Sequence, residues 1–301
     1  MNTLTLRDYA PGCHLLDGAW GTELERHGLL SGKVPELLNA ENPAAIEAIA
    51  RSYVEVGSEI ILTNTFGANR LVLERHDASE RVEELVVAGV NISSKAADGR
   101  AKVFASIGPT GNIVMLGEVS AEQMSEAFRE TATAIEVARP DAVVLETFAE
   151  LEELKLALQA VKTVSKLPVI TCMTFSAGED GTTTIMGNTP EELAAVAEKD
   201  GAAGVGANCG IGPDVYLRVA QRLGAVTNLP LWIKPNAGLP QAGADSKTRY
   251  PVRPEEFASY VPQFIEAGVA FLGGCCGTTP AHILSARKAL INYGKEIGRN
   301  Q

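Results

Sequence analysis

Three cysteines beside glycines or a glycine-rich turn are the residues of this sequence best suited to metal chemistry. Cys275 and Cys276 are adjacent and lie in the run Gly-Gly-Cys-Cys-Gly, and Cys209 follows an asparagine further upstream. Thiolates are preferred zinc ligands, and three protein ligands leave one position of a tetrahedral zinc ion open, as a catalytic site requires. If the fold brings the three thiols together, we therefore expect a zinc site with room for one further ligand.

The chemistry of such a site follows from its ligands. Three thiolates around Zn²⁺ give a centre with a net negative charge, which is a weaker Lewis acid than a histidine site and a poor activator of water. The same centre deprotonates a fourth thiol that binds to it. Because the bound sulfur stays nucleophilic, the ligand set predicts the alkylation of a thiol.

Other interpretations of these cysteines remain open. A single cysteine is more often a small buried residue than a ligand, and a vicinal pair can also be a redox pair, although the usual redox spacing is Cys-x-x-Cys. The glycines around the pair and the third cysteine in an equivalent position favour the metal site. We expect Cys172 to lie in the core and Cys13 to be an inert thiol.

Eight short apolar runs alternate with helical patterns along the chain, which predicts a (β/α)8 TIM barrel as a single domain over residues 1–301. The predicted strands cover residues 14–17, 59–65, 102–107, 141–146, 168–175, 203–208, 230–234 and 270–274. Helical patterns include residues 42–57, 79–98, 120–138, 151–166, 213–223, 254–267 and 280–293, with a further helix starting at Thr189. An open, doubly wound parallel sheet is the alternative arrangement of the same elements.

The barrel would bring the candidate residues together, because catalytic groups of this fold lie at the C-terminal ends of the strands. Cys209 follows the sixth predicted strand and Cys275 the eighth, while Asp17 and Glu146 end the first and fourth. The glycines around the vicinal cysteines allow a bend that turns both thiols towards one point. The polar segment 241–249, after the seventh strand, is the insertion we expect to be most flexible.

Composition and charge narrow the classes of partner. The 301 residues carry a formal net charge of −11, which argues against nucleic acids and anionic membranes, since both attract clustered lysine and arginine. We see no signal peptide and no apolar run of membrane-spanning length. Five cysteines without a secretion signal favour metal binding or free thiols over a disulfide framework. We therefore expect a cytoplasmic protein that binds neither nucleic acid nor membrane.

The motifs at the strand ends resemble those of the homocysteine S-methyltransferase family. They are Asp17-Gly18-Ala19-Trp20-Gly21-Thr22, Thr63-Asn64-Thr65-Phe66, Ser106-Ile107-Gly108-Pro109-Thr110-Gly111, Glu146-Thr147, Asn208-Cys209 and Gly273-Gly274-Cys275-Cys276-Gly277-Thr278-Thr279-Pro280. The likeness runs over residues 15–283. Its most specific part is the Gly-Gly-Cys-Cys-Gly block with Asn-Cys upstream.

For the metal, the resemblance implies that Cys209, Cys275 and Cys276 hold Zn²⁺ and that the sulfur of homocysteine takes the open position. It also implies that Asn236 lies close to the metal and fills the open position when substrate is absent. A purely structural role for Asn236, holding a turn together, is the alternative.

For the substrate, the resemblance implies that Asp17 and Glu146 receive the amino group of homocysteine and that the backbone of Gly18 and Ala19 receives its carboxylate. Asn208, in the same motif as the upstream cysteine, belongs to the same set of substrate-binding residues. An ammonium group needs acceptors, and two strand-end carboxylates supply charge-assisted hydrogen bonds. A helix cap or turn is the alternative role for Asp17, and a turn for Asn208.

The methyl donor differs between branches of the family. The Pro-Glu-Leu-Leu-Asn stretch at 35–39 and the Gly-Pro-Thr-Gly block are similar to the homocysteine-binding module of cobalamin-dependent methionine synthase. This chain has Gly67 where the betaine-using branch has tyrosine, and Gly277 where the S-methylmethionine-using branch usually has arginine. The resemblance thus implies a methylcobalamin-bearing corrinoid protein acting in trans, or a chain that is a fragment of a longer protein.

Two alternatives remain to this function. The first keeps the zinc thiolate chemistry and takes the methyl group from S-methylmethionine, S-adenosylmethionine or a betaine. The second is a non-catalytic barrel that stores zinc or senses redox state, with no need for the strand-end carboxylates.

Overall fold

A sheet of eight parallel strands is the centre of the fold. The computed structural model describes residues 6, 12–30, 32, 34–242 and 248–299, with side chains as far as residue 295. The strands are β1 (His14–Leu15), β2 (Ile60–Leu62), β3 (Lys102–Ile107), β4 (Ala142–Phe148), β5 (Val169–Met173), β6 (Gly204–Cys209), β7 (Leu231–Pro235) and β8 (Val269–Leu272). They occupy the eight regions that the sequence predicts, mostly with shorter bounds, and β4 continues past Glu146 to Phe148.

The sheet closes on itself. Its strand order is β1-β8-β7-β6-β5-β4-β3-β2, and β1 meets β2 through a parallel bridge between Leu16 and Ile60. The amide of Glu59 adds a hydrogen bond of 2.7 Å to the carbonyl of Leu15 across the same seam. The predicted (β/α)8 barrel is confirmed, and the open sheet is wrong.

The strands are buried on both faces, which explains their continuous apolar character. One cluster of side chains packs the strands against the surrounding helices. A second cluster contains strand residues together with Leu6 and fills the barrel interior, where Trp232 stacks on Phe104 with ring centroids 5.8 Å apart. Cys172 belongs to this interior cluster and is fully buried, as predicted.

Helices surround the strands in the β-then-α order of the prediction. They are Gly21–Arg26, Leu38–Glu41, Pro43–Val56, Arg70–Glu74, Val82–Ala97, Ala121–Ala138, Leu151–Val164, Pro190–Lys199, Pro213–Val226, Pro254–Ser259, Val261–Glu266 and Pro280–Arg299. Side chains of Asn42, Ser120 and Thr189 cap three of them by accepting backbone hydrogen bonds. No helix in the described ranges is long and apolar enough to cross a bilayer.

The polar segment after β7 begins and ends as a short antiparallel hairpin of Gln241–Ala242 with Thr248–Arg249. Residues 243–247, where we predict the greatest flexibility, lie outside the described residues.

Candidate metal centre

The three predicted ligand thiols meet at the C-terminal mouth of the barrel. The sulfur atoms of Cys209, Cys275 and Cys276 all lie within 4.8 Å of one another, and those of Cys209 and Cys276 are 4.0 Å apart. Four ligands held at about 2.3 Å around a tetrahedral zinc ion are about 3.8 Å from each other. All three cysteines are free thiols, so the geometry matches a tri-thiolate metal site rather than a disulfide.

Local backbone geometry directs Cys209 into this cluster. Cys209 is the last residue of β6 and has a positive φ of 69°, a conformation that residues other than glycine rarely adopt. Its carbonyl accepts a hydrogen bond of 3.2 Å from the amide of Asn236. The next residue, Gly210, also has a positive φ, and a Cβ atom there would lie 2.4 Å from the carbonyl oxygen of Phe175. The chain therefore turns sharply where β6 ends and holds the thiol over the mouth.

The vicinal cysteines are fixed by the turn after β8. The amide of Cys275 donates to the carbonyl of Pro235 at 2.8 Å, and the hydroxyl of Thr278 donates to the carbonyl of Cys275 at 2.7 Å. Gly277 has a φ of 81°, and the ring of Tyr250 covers it so closely that a Cβ atom would lie 2.0 Å from Cγ of that ring. The bend that the flanking glycines predict is present.

The three thiols differ in their affinity for protons. Hydrogen bonds from Cys275 and Cys276 hold the pKa of Cys209 far below its usual range, to about 3. The hydrogen bond that Cys275 gives to Cys209 raises the pKa of Cys275 to about 12. Hydrogen bonds among the three sulfurs thus favour an ionised Cys209 over an ionised Cys275. A bound metal ion would displace these protons and let all three sulfurs coordinate.

Asn236 lies beside the thiol cluster and carries an unsatisfied oxygen. Its amide nitrogen donates to the carbonyl of Gly210 at 2.7 Å, and its side chain also contributes to the lowered pKa of Cys209. The Oδ1 atom is buried and has no hydrogen-bond partner in the described part of the chain. A buried amide oxygen left unpaired is unfavourable by about 1–3 kcal/mol.

A hydrogen-bond network joins Glu146 to the metal ligands. Ser106 donates to Oε1 of Glu146, and the amide of Asn208 donates to Oε2 at 3.3 Å while lying 3.8 Å from the sulfur of Cys275. The same amide donates to the hydroxyl of Thr147, whose backbone N–H donates back to Asn208. Burial raises the pKa of Glu146 to about 7. Asn208 therefore orients the strand-end carboxylate next to the thiols.

Asp17, which we expect to bind the substrate amino group, lies behind the cavity wall and is paired with a lysine. Its carboxylate is completely buried, and one oxygen accepts from the ammonium group of Lys234. The other oxygen accepts from the indole N–H of Trp20 at 2.9 Å and from the amide of Leu62 at 2.7 Å. All of these contacts come from the protein itself.

Lys234 is a site residue that the sequence motifs do not single out, although it ends an apolar strand just as Glu146 does. Its side chain is 2% exposed. Burial would lower the pKa of Lys234, but the charges of Asp17 and Glu146 outweigh burial and raise it. Lys234 thus carries a positive charge between two carboxylates.

Gly18 and Ala19 lie on the cavity wall against two side chains. A Cβ atom at Gly18 would lie 2.8 Å from the ring of Tyr53 and 2.9 Å from the hydroxyl oxygen of Thr278. The amide of Ala19 donates to the hydroxyl of Thr278 at 3.1 Å, and the Tyr53 hydroxyl donates to the carbonyl of Ala19 at 2.6 Å. This packing fixes the backbone that we expect to receive a substrate carboxylate.

A cavity of about 410 Å³ opens above these groups. Its walls include the three cysteines, Gly18, Ala19, Glu146, Lys234, Glu36, Trp20 and Phe66. The predicted residues Asp17, Asn208 and Asn236 lie behind this lining and contact Trp20, Glu146 and Cys209, respectively, which belong to it. The cavity is large enough for a small amino acid and leaves apolar space beyond it.

Comparison with known proteins assigns the barrel to a family. A family model described as homocysteine S-methyltransferase matches residues 14–290. The chain belongs to this family. The membership that the strand-end motifs predict is confirmed.

Two curated relatives each match 92% of the chain. The chain is 32% identical over 295 residues to a methionine synthase of Mycobacterium tuberculosis and 33% identical over 299 residues to one of Mycobacterium leprae. It spans 24% of the length of each of these relatives.

Structures of the homocysteine methyltransferase MmuM from Escherichia coli share the fold. The oxidised form has a TM-score of 0.79 at 22% identity, covering 95% of this chain and 99% of that one. The metallated form has a TM-score of 0.77 at 23% identity, covering 93% and 96%.

Proposed function

We propose that this protein transfers a methyl group to the thiol of homocysteine, giving methionine, with the substrate sulfur bound to a zinc ion at Cys209, Cys275 and Cys276. The observation that carries the proposal is the meeting of these three sulfurs within 4.8 Å, from the ends of two separate strands, in a barrel of the homocysteine S-methyltransferase family. Family and metal cluster support the same chemistry independently.

The residues present fit a zinc ion. Three sulfur ligands have the spacing of a tetrahedral site. Asn236, whose side chain contacts Cys209 and whose Oδ1 is unpaired, would supply a fourth ligand that an incoming thiol can replace. When bound, zinc lowers the pKa of the substrate thiol and keeps its sulfur as a nucleophilic thiolate at neutral pH.

The protein's own side chains bind and orient the amino acid. We assign the direct contact with the substrate ammonium to Glu146, because it lines the cavity. We assign only a supporting negative charge to Asp17, because it lies behind the lining and is already paired with Lys234. The backbone at Gly18 and Ala19 receives the substrate carboxylate. Asn208 holds Glu146 in place beside the sulfur ligands.

For the donor, we propose methylcobalamin bound to a separate corrinoid protein, or to a further part of the same polypeptide if this chain is one module of it. Identity of 32–33% to methionine synthases supports this donor. The environment of Gly277 supports it as well, because the Tyr250 ring fills the space into which an arginine side chain would extend.

Zinc analysis combined with methyl-transfer assays tests the proposal. Purified protein should contain about one zinc ion per chain and should form methionine from homocysteine and methylcobalamin, free or protein-bound. Parallel assays with S-methylmethionine, S-adenosylmethionine and glycine betaine separate the donors. Zinc without methionine formation from any donor would instead identify a zinc store or redox sensor, and absence of zinc would remove the chemical basis of the proposal.

A further inference from the structure

Glu36 is a buried carboxylate on the cavity wall that the proposed reaction does not yet use. It lies in the short 3-10 turn Pro35–Leu37 and is 2% exposed. Its Oε1 accepts a hydrogen bond of 2.6 Å from the amide of Gly67. Its Oε2 is buried and has no hydrogen-bond partner within the described ranges. Glu36 therefore lines the cavity and keeps one buried acceptor unused.

The turn that carries Glu36 is held firmly, so this placement is built into the fold. The amide of Asn64 donates to the carbonyl of Pro35 at 2.8 Å and to the side-chain oxygen of Asn39 at 2.9 Å. Asn39 in turn donates to the carbonyl of Asn64 at 2.7 Å. A buried carboxylate oxygen without a partner is unfavourable, and burial raises the pKa of Glu36 to about 6. Such groups are common where a ligand completes the hydrogen bonding.

The surroundings of Glu36 differ from those of the acceptor substrate. Glu146 and Lys234 are charge-coupled to Cys275, whereas the pKa of Glu36 responds to burial and to backbone hydrogen bonds. The cavity lining around Glu36 includes the apolar side chains Val34 and Phe66. In apolar surroundings a lone carboxylate oxygen favours a ligand that brings a hydrogen-bond donor, such as an N–H group.

We propose that Glu36 binds the methyl donor, with Oε2 accepting a hydrogen bond from an N–H group of the donor. This inference rests on the proposed function, in which homocysteine occupies the zinc-side end of the cavity. Two donor chemistries carry the required group: the carboxamide side chains at the edge of a corrin ring, and the ammonium of an amino-acid donor such as S-methylmethionine. Glycine betaine carries no N–H and is not a ligand of this oxygen.

Gly67 leaves space beside the carboxylate of Glu36. A Cβ atom at Gly67 would lie 3.2 Å from both carboxylate oxygens of Glu36, so any side chain there would press on the carboxylate. The glycine thus leaves room for a donor group to approach Oε2.

The test compares Glu36→Gln with the parent zinc protein. Glutamine preserves volume and the acceptor for the Gly67 amide but places an NH₂ group where an acceptor is needed. Dissociation constants for hydroxocobalamin and for S-methylmethionine, measured separately without turnover, identify the source of the N–H group. We expect the constant for the probe that the parent binds, and the KM of the matching methyl donor, to rise about tenfold or more, with zinc content and homocysteine affinity unchanged.

Glu150→Gln is the matched control, because Glu150 is a buried carboxylate that accepts a backbone hydrogen bond from Val114 at 2.8 Å and does not line the cavity. We expect it to leave all donor constants unchanged. If Glu36→Gln does not fold, Gly67→Ala, which crowds the same carboxylate without changing its charge, should raise the same constants.

Three outcomes would overturn the inference. They are unchanged donor constants in the variant, an equal loss of homocysteine affinity, and a parent protein that binds neither probe. Failure of the proposed function appears separately, as absence of methionine formation in the parent while probe binding is still measurable.

Discussion

Lys234 at the end of β7 donates a hydrogen bond to Asp17 after β1, and both side chains are buried below the candidate metal centre. Glu146 completes a group of two carboxylates around one ammonium. A charge buried without a partner is strongly unfavourable. Lys234 and Asp17 therefore stabilise each other's buried charge. It links the two strands that flank β8, which leads into the vicinal cysteines.

Removing the lysine should destabilise the barrel. Lys234→Met leaves Asp17 buried without its cation, and we expect the free energy of unfolding to fall by about 3–5 kcal/mol, measured by urea denaturation. The control is Lys102→Met, which breaks the more exposed pair with Asp141 and should change stability by about 0–1 kcal/mol. Equal effects of the two variants would show that the buried pair has no special role.

Removing one sulfur ligand should abolish the metal site while leaving the fold intact. Cys209→Ser should lose zinc and methyl transfer together, because two thiolates do not hold the ion against competition, and its circular dichroism spectrum should match the parent. Cys13→Ser is the control, since Cys13 lies outside the cluster. Full zinc content and activity in Cys209→Ser would remove this residue from the ligand set.

The side-chain amide of Asn236 should slow the loss of zinc most strongly when no substrate is bound. Asn236→Ala removes the oxygen that has no other partner, and we expect zinc to be lost to a chelator about tenfold faster than from the parent. Homocysteine should largely cancel the difference, because its sulfur replaces the amide as fourth ligand. Equal zinc loss in the two proteins without homocysteine would contradict a ligand role.

Glu146→Gln should separate substrate binding from metal binding. The amide can still accept hydrogen bonds but lacks the negative charge that attracts an ammonium group, so we expect homocysteine to bind about tenfold more weakly at unchanged zinc content. Isothermal titration calorimetry measures both the parent and the variant. An unchanged affinity would show that the ammonium lies elsewhere.

The pH dependence of homocysteine binding should reveal the same carboxylate. Because the pKa of Glu146 is raised to about 7, its charge is present above that pH and is lost as pH falls, which weakens binding of an ammonium below neutrality. Loss of the thiol proton on metal binding adds a dependence of the same sign, but Glu146→Gln retains that part. The parent should therefore lose affinity more steeply than the variant between pH 7 and about pH 5, and parallel profiles would argue against Glu146.

The sequence by itself determined the barrel and the cluster of three cysteines at its mouth. Eight apolar runs followed by helical patterns are local features of the sequence. A parallel barrel brings the C-terminal ends of its strands to one mouth for any conformation of the loops. The vicinal cysteines and the third strand-end cysteine were therefore predictable as one cluster, and their glycines predicted the bend that unites them. Glu146 was predictable as a site residue in the same way, because it is a carboxylate at the end of an apolar strand and such ends lie at the barrel mouth.

Only the tertiary structure decided which hydrogen-bond and ion-pair partners the polar side chains around the cysteine cluster have. No spacing in the sequence shows that Lys234 reaches Asp17, that hydrogen bonds from Trp20 and Leu62 complete this carboxylate, or that Glu36 keeps one oxygen without a partner. Hydrogen bonding and charge depend on distances of a few ångströms between elements far apart in the chain. Such distances exist only once the barrel has closed, because closure brings the first and last strands side by side.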